Sequence, residues 1–250
     1  TFRNNTKDIF ITNQSNKLAS EISTDTKNNF SVNAESETGY NGSDFSQNGF
    51  RIHFSVNNIP VVMNTVGRHN MENALAAIAV VNRIGVGIET AAQALEKYEG
   101  IYRRHQVIGE KNGVILIDDY AHNPAKCAAS IAACQPVAPK VIAWFQPHGY
   151  KPTRFLRDDF VKEIAAVLRP QDEIWMSEIF YAGGSAVKDI SANDLIQDLK
   201  ALGKNAYFVE HRSDFVENVR PHFSGNDVLL LMGARDPSLE FFATEVLEKL

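Results

Sequence analysis

Hydrophobic positions follow two rhythms along this chain. Up to about residue 66, apolar and polar residues alternate over short stretches such as NFSVNA and FRIHFSV, separated by turn formers including Asn41-Gly42 and Asn48-Gly49. Alternation with a period of two marks half-buried strands, so this part predicts an antiparallel, hairpin-like region. Gly67 breaks the pattern. The following HNMENALAAIAVVNRIG spaces its apolar residues as a helix closed by Gly85, and Ile88 to Tyr98 predicts a second helix.

From Gly113 onward, continuous apolar runs alternate with amphipathic stretches. GVILIDD, KVIAWF, EIWMSEI, AYFVE and DVLLLMGA read as about five strands, each followed by a helical segment. Unbroken Val/Ile/Leu runs belong to strands covered on both faces, and right-handed crossovers place such strands in one mostly parallel sheet. The predicted fold class is α/β: a Rossmann-like, mostly parallel sheet domain over residues 107–250, preceded by a partial domain over residues 1–106. No linker rich in Gly, Ser or Pro separates the two.

The clusters DDYAHNP, QPHGYKPTR, SEIFYAGG and GARDP each follow a strand directly. Ligands bind outside the carboxyl ends of parallel strands, so these four segments are expected to share one rim. GVILIDDYAHNP is the most informative: an apolar run ends abruptly in Asp118, Asp119, Tyr120, His122 and Asn123. Pro124 suits the first turn of the next helix, whose exposed amides favour an anion nearby.

Composition narrows the classes. The chain has 250 residues, 44% hydrophobic and 22% charged, with a net charge of -5. It reads as an ordinary globular protein without the broad basic surface a nucleic-acid partner needs. No apolar run is long enough to span a bilayer and the first residues lack the apolar core of a signal peptide, so no membrane partner and a cytoplasmic location are expected. Cys127 and Cys134, set among Ala and Ile, read as buried thiols, and no metal site is predicted. Neither GxxxxGK[ST] nor GxGxxG occurs, and the first residues read like the middle of a sheet domain, so an upstream part is expected.

Taken together, GRHNMENALAA, the Tyr102-Arg103-Arg104 segment, IDDYAHNP, FQPH, YAGG and LLMGARD resemble the Mur ligases in order and spacing. The similarity is good over about residues 60 to 250 and loose before that. The resemblance implies a chain made of the last part of a central ATPase domain and the whole carboxyl-terminal domain, with the UDP-sugar domain and P-loop upstream. It implies ATP-dependent amide formation through an acyl phosphate, joining an amino acid, L-alanine first, or a peptide to UDP-N-acetylmuramate in peptidoglycan synthesis or recycling. ATP is the implied cofactor, with Mg2+ held mostly by upstream ligands; the partners are small-molecule substrates, and this chain alone is expected to be inactive.

The resemblance also assigns residues. Asn70 and Asn73 match an adenine-contacting pair, and Arg104 and Asp119 match residues at the nucleotide. Beside these stand plainer readings: Asn70 as a helix N-cap, Asn73 as a surface residue, Arg104 in an interdomain salt bridge. Arg103 reads as a solvated charge and Asp118 as a loop partner. Tyr120, His122, Asn123 and His148 match positions lining the amino-acid side of the cleft, with His122 and His148 as the catalytic candidates. Gly149 and Pro152 stand where L-alanine-adding members carry arginines, leaving Lys151 and Arg154 as compensating substrate-binding cations. Asn123 stands where a second histidine is common, and GARDP replaces a glycine-rich ending. These departures put alanine specificity in question and keep a divergent paralogue with another amine or acid open.

Three other classes compete: a metal-dependent hydrolase using Asp118, Asp119, His122 and His148; a non-catalytic nucleotide-binding module; and a dehydrogenase, for which the glycine fingerprint is missing. The position of Arg104 and His105 between the two predicted domains suggests a hinge.

Overall fold

The computed structural model describes residues 2–33, 35–181 and 183–250. The chain divides into two compact units, Thr1–Glu99 and Gly100–Leu250, a division seven residues before the one after residue 106 expected from the sequence.

In the first unit, short helices α1 (Phe2–Asn5) and α2 (Lys17–Ser20) precede strands β1 (Phe30–Ser31), β2 (Tyr40–Asn48), β3 (Arg51–Val56) and β4 (Ile59–Met63). Helices α3 (Arg68–Arg83) and α4 (Ile88–Glu96) follow. β2, β3 and β4 pair antiparallel, as the alternation predicts, whereas β1 runs parallel to β2. Ile52, Phe54, Val56, Val61 and Met63 turn inward and pack with Met71, Leu75 and Ile78 of α3. Asn48-Gly49 forms the expected turn, but Asn41-Gly42 lies inside β2. A Cβ on Gly42 would lie 2.3 Å from Met71 Cε and 2.7 Å from Leu75 Cδ1. Glycine is favoured there by the close approach of α3, not by a bend.

The second unit contains β5 (Gln106–Lys111), β6 (Val114–Asp119), α5 (Pro124–Cys134), β7 (Lys140–Gln146), α6 (Tyr150–Phe155) and α7 (Arg157–Val167). It continues with β8 (Glu173–Met176), α8 (Ala192–Ala201), β9 (Asn205–Phe208), α9 (Phe215–Val219), β10 (Asp227–Gly233) and α10 (Leu239–Lys249). The sheet order is β5-β6-β10-β7-β8-β9. The neighbours from β6 to β9 are parallel, and β5 is an antiparallel edge strand that the apolar runs do not reveal. Its residues are exposed or half-buried, and its register shifts between Val107 and Gly109.

β10, last in sequence, inserts between β6 and β7. The connections leaving β6, β7 and β8 step one way across the sheet, and the one leaving β9 steps back. Right-handed crossovers then put α5, α7 and α8 on one face and α9 on the other. On that second face, α9 and α10 bury Phe215, Val219, Phe242 and Val246 against Leu116, Trp144, Trp175, Leu229 and Leu231. On the first, Phe160 of α7 meets Phe145 of β7 at 5.2 Å between ring centroids. The reversal of direction beside β10 is the position where open α/β sheets bind ligands. Across it, Asp119, Met232 and Phe145 form the last row of paired residues shared by β6, β10 and β7.

Cys127 and Cys134 are free and buried, and no helix among the described residues is long and apolar enough to cross a membrane.

Trp144 is fully buried, packs 4.8 Å from Phe242 and donates from Nε1 to Ser177 Oγ at 3.0 Å. Trp144→Ala is expected to destabilise this unit by about 3–5 kcal/mol; urea unfolding followed by circular dichroism measures it.

Candidate functional site

The four post-strand segments converge on one rim, joined by specific bonds. Arg103, in the turn before β5, is buried rather than solvated. Its Nε donates to Asp118 Oδ2 at 2.7 Å and its Nη2 donates to Asp118 Oδ1 at 3.3 Å and to the Gly233 carbonyl at 3.0 Å. The Arg103 carbonyl accepts from Tyr120 N at 2.8 Å. One guanidinium thus ties the end of β6 to the end of β10. Burial raises the Asp118 carboxyl above its usual range, and the Arg103 guanidinium offsets only part of that rise.

Asp119 points to the opposite sheet face. Its oxygens accept from His105 N and Ala121 N, both at 2.8 Å. His105 Nδ1 lies 3.2 Å from Asp119 Oδ2, and His105 Nε2 lies 3.0 Å from Ser130 Oγ on α5. Arg103 and His105 are therefore fastened within the second unit.

Tyr120 carries the Arg103 and Arg104 guanidinium carbons 5.2 Å and 5.4 Å from its ring centroid. Its ring stands edge-on to His122 at 5.5 Å. His122 Nδ1 bonds the Tyr120 carbonyl at 2.8 Å. A carbonyl only accepts, so Nδ1 carries the proton and the lone pair of the neutral ring sits on Nε2. His122 and His148, which leave two different strands, meet at 5.7 Å between ring centroids. His148 Nδ1 is buried with no hydrogen-bond partner. Burial, then the positive charges of His122 and Arg235, lowers the His148 pKa below the usual histidine value, so the ring is neutral at pH 7.

The other loops are equally tied. Phe180 N donates to the Pro147 carbonyl at 2.8 Å and Gly149 N to the Phe180 carbonyl at 2.9 Å, joining the segments after β7 and β8. Arg212 donates from Nη1 to Asp236 Oδ2 at 2.5 Å and to Gln146 Oε1 at 3.4 Å, and from Nη2 to Ser238 Oγ at 2.5 Å. Burial pushes the Asp236 carboxyl up, but the bonds from Ser238 and Arg212 outweigh it and hold the pKa low.

The family described as Mur ligase, glutamate ligase domain, matches residues 103–235. The chain belongs to the Mur ligase family. It is 34% identical over 178 residues to the UDP-N-acetylmuramate–L-alanine ligase of Acidithiobacillus ferrooxidans, covering 70% of this chain and 38% of that protein. It is 38% identical over 189 residues to the same-named ligase of Nitrosospira multiformis, with the same shares. The solved UDP-N-acetylmuramate-alanine ligase MurC of Thermotoga maritima superimposes with a TM-score of 0.73 at 25% identity, over 96% of this chain and 50% of that one. MurF from Thermotoga maritima in complex with ADP shares the fold, with a TM-score of 0.60 at 15% identity. This chain thus spans 38% of the length of those two curated Mur ligases.

Within this Mur ligase unit, several assigned residues have other engagements. Arg104 is exposed, in reach of Tyr120. Asn123 caps α5, its Oδ1 accepting from Lys126 N at 3.0 Å. Arg154, offered with Lys151 as a replacement cation for Gly149 and Pro152, is exposed and ion-paired with Asp189, and Lys151 is exposed. Ala182 of the YAGG motif lies outside the described residues. Among the described residues no group of three or more His, Cys, Asp or Glu could hold a metal ion. Asp118 is committed to Arg103 and Asp119 to backbone amides, which removes the four-ligand hydrolase set. In the first unit, Asn70 is not the N-cap of α3, a position held by Gly67. Its Nδ2 donates to the Val66 carbonyl at 2.8 Å and Thr65 Oγ1 at 2.9 Å. Its Oδ1 accepts from exposed Asn73 at 3.2 Å.

Arg103→Met leaves Asp118 buried without its cation and is expected to cost about 3–5 kcal/mol near neutral pH. A raised carboxyl pKa in the folded state means that stability is retained below the unfolded value near 3.8 and lost as pH rises through the folded one. The deficit therefore shrinks on acidification, and Asp118→Asn in the same chain restores stability; urea unfolding across pH measures both. A second expectation concerns His148. Its ring titrates below the ordinary histidine value, and His122→Gln moves it upward by removing a neighbouring charge, as NMR of the ring signals reports.

Proposed function

We propose that this chain is the amine-receiving part of an ATP-dependent Mur ligase. That ligase joins an amino acid, L-alanine first, or a small peptide to a UDP-N-acetylmuramate-type acid. One observation carries the reading: two half-buried imidazoles from different strands face each other at the sheet's reversal point, one with a buried, unsatisfied nitrogen. Unpaired buried polar atoms are uncommon, and a catalytic role is one of the few reasons a protein keeps one.

ATP supplies the activation of the acid's carboxyl, and its phosphate-gripping loop and Mg2+ ligands are placed in the part of the relatives' length that this chain does not span. The donor set for Mg2+ does not fit the described residues, so no step here is routed through the metal. Asn70, Asn73, Arg104 and Asp119 are proposed on the nucleotide side, Asp119 acting mainly by holding the His105 and Ala121 amides. On the amine side, an incoming ammonium must lose a proton before it attacks. His122 Nε2 is placed to accept that proton, and His148, kept neutral, adds no opposing charge. Tyr120 orients His122 through its carbonyl and ring edge, and Asn123 fixes the start of α5 beneath it. Lys151 and Arg154 are proposed as the cations at the outer margin of the amine pocket. Because Gly149 and Pro152 carry no charge, amines other than L-alanine belong in the test.

The experiment is a phosphate-release and product assay on the complete ligase containing this chain, over L-alanine, other amino acids and small peptides. ATP- and amine-dependent product is expected, with none from the 250-residue chain alone. His122→Ala and His148→Ala are each expected to lower kcat by roughly 10²-fold or more. Turnover without an amine, or by the isolated chain, overturns the reading.

A further inference from the structure

In the three adjacent parallel strands β6, β10 and β7, the last shared row is Asp119, Met232 and Phe145. Counting the same three steps past that row on each strand gives His122, Arg235 and His148. The two imidazoles close to 5.7 Å, although β10 runs between their strands, so they come together over the end of β10. Arg235 is the residue that β10 sends into that same level.

The loop carrying Arg235 is held on both sides. Before it, the Gly233 carbonyl accepts from Arg103. After it, Asp236 is ion-paired with Arg212 and accepts from Ser238 N at 2.9 Å and Ser238 Oγ at 2.5 Å. Arg103 and Arg212 are therefore neutralised by Asp118 and Asp236. Arg235 is exposed and has no ion pair or hydrogen bond among the described residues. Its φ of 64° lies in the left-handed region, which an arginine rarely adopts and keeps only where the surroundings impose it. The result is an unpaired guanidinium, carried on a loop held at both ends, whose charge is felt by an imidazole whose Nδ1 has no partner.

We propose that Arg235, with His148 beside it, binds a small oxyanion at the β6-β10-β7 reversal point and thereby selects an amine substrate that carries a carboxylate. The inference rests on the functional reading above and deepens it. A guanidinium offers paired donors that match both oxygens of a carboxylate or two of a phosphate. The segment after β7 has Gly149 and Pro152, which provide no charge, and its Arg154 is spent on Asp189. Arg235 reaches the same space from the neighbouring strand.

The test is a titration of this chain at constant ionic strength with acetate, L-alanine and inorganic phosphate, following the His148 and His122 ring signals by NMR. A saturable shift is expected, weakened about tenfold or more by Arg235→Asn, whose residue type tolerates the left-handed backbone, and less by Arg235→Lys. Response to acetate and L-alanine identifies a carboxylate site; response to phosphate alone identifies a phosphate site and overturns the amine-selection half. No saturable shift with any probe, or an Arg235→Asn affinity within about twofold of the parent, overturns the oxyanion site. In the complete ligase, Arg235→Asn is expected to raise the KM for the amine more than it lowers kcat. If the titration depends on Arg235 but the complete protein ligates no amine, the functional reading falls and the oxyanion site stands. If ligation proceeds with an unchanged amine KM in Arg235→Asn, the selection role falls alone.

Discussion

The buried ion pair between Arg103 and Asp118 is the contact on which the rim depends. Asp118 ends an otherwise apolar strand, with the α9 and α10 face of the sheet beneath it. Its charge is tolerable there only because a guanidinium meets both oxygens. The same guanidinium bonds the Gly233 carbonyl, where β10 stops and its loop begins. A single side chain from the turn before β5 thereby sets where two neighbouring parallel strands end. His122 and the segment after β10 inherit their positions from it.

A second tier of contacts does the same for the remaining loops. Arg212 reaches Asp236, Ser238 and Gln146, and paired backbone bonds join the segments at Pro147 and Phe180. Asp119 is spent on backbone amides and on the His105 ring, which reaches α5 through Ser130. The charged groups of the rim divide into those neutralised within the protein and those left facing the histidine pair. The first kind builds the frame and the second gives the site its chemistry, the general form of a preorganised site.

The resemblance carried by IDDYAHNP, FQPH and LLMGARD led to the right family because those residues lie at strand ends, where apolar runs and polar clusters can be read in one dimension. The residues misread were those whose roles come from partners far away in sequence. Arg103 looked like one of two surface charges, and only the return of β10 to its side, with Gly233 in reach, makes it a buried clamp. Arg154 has an acidic neighbour, Asp189, that its local sequence does not announce. Asn41-Gly42 looked like a turn because the close approach of α3 to Gly42 has no local signal. Strand β5 escaped because an edge strand with a shifted register loses the period that reveals strands.

What the sequence determined by itself was the kind of elements and their order. Buried parallel strands must be continuously apolar, and the polar residues that follow them must leave the sheet at its carboxyl edge. What only the tertiary structure decided was the insertion of β10 between β6 and β7. That choice is made by long-range packing of α9 and α10 against one sheet face and α5, α7 and α8 against the other. It brings the segments that carry His122, Arg235 and His148 side by side at the carboxyl edge of the sheet.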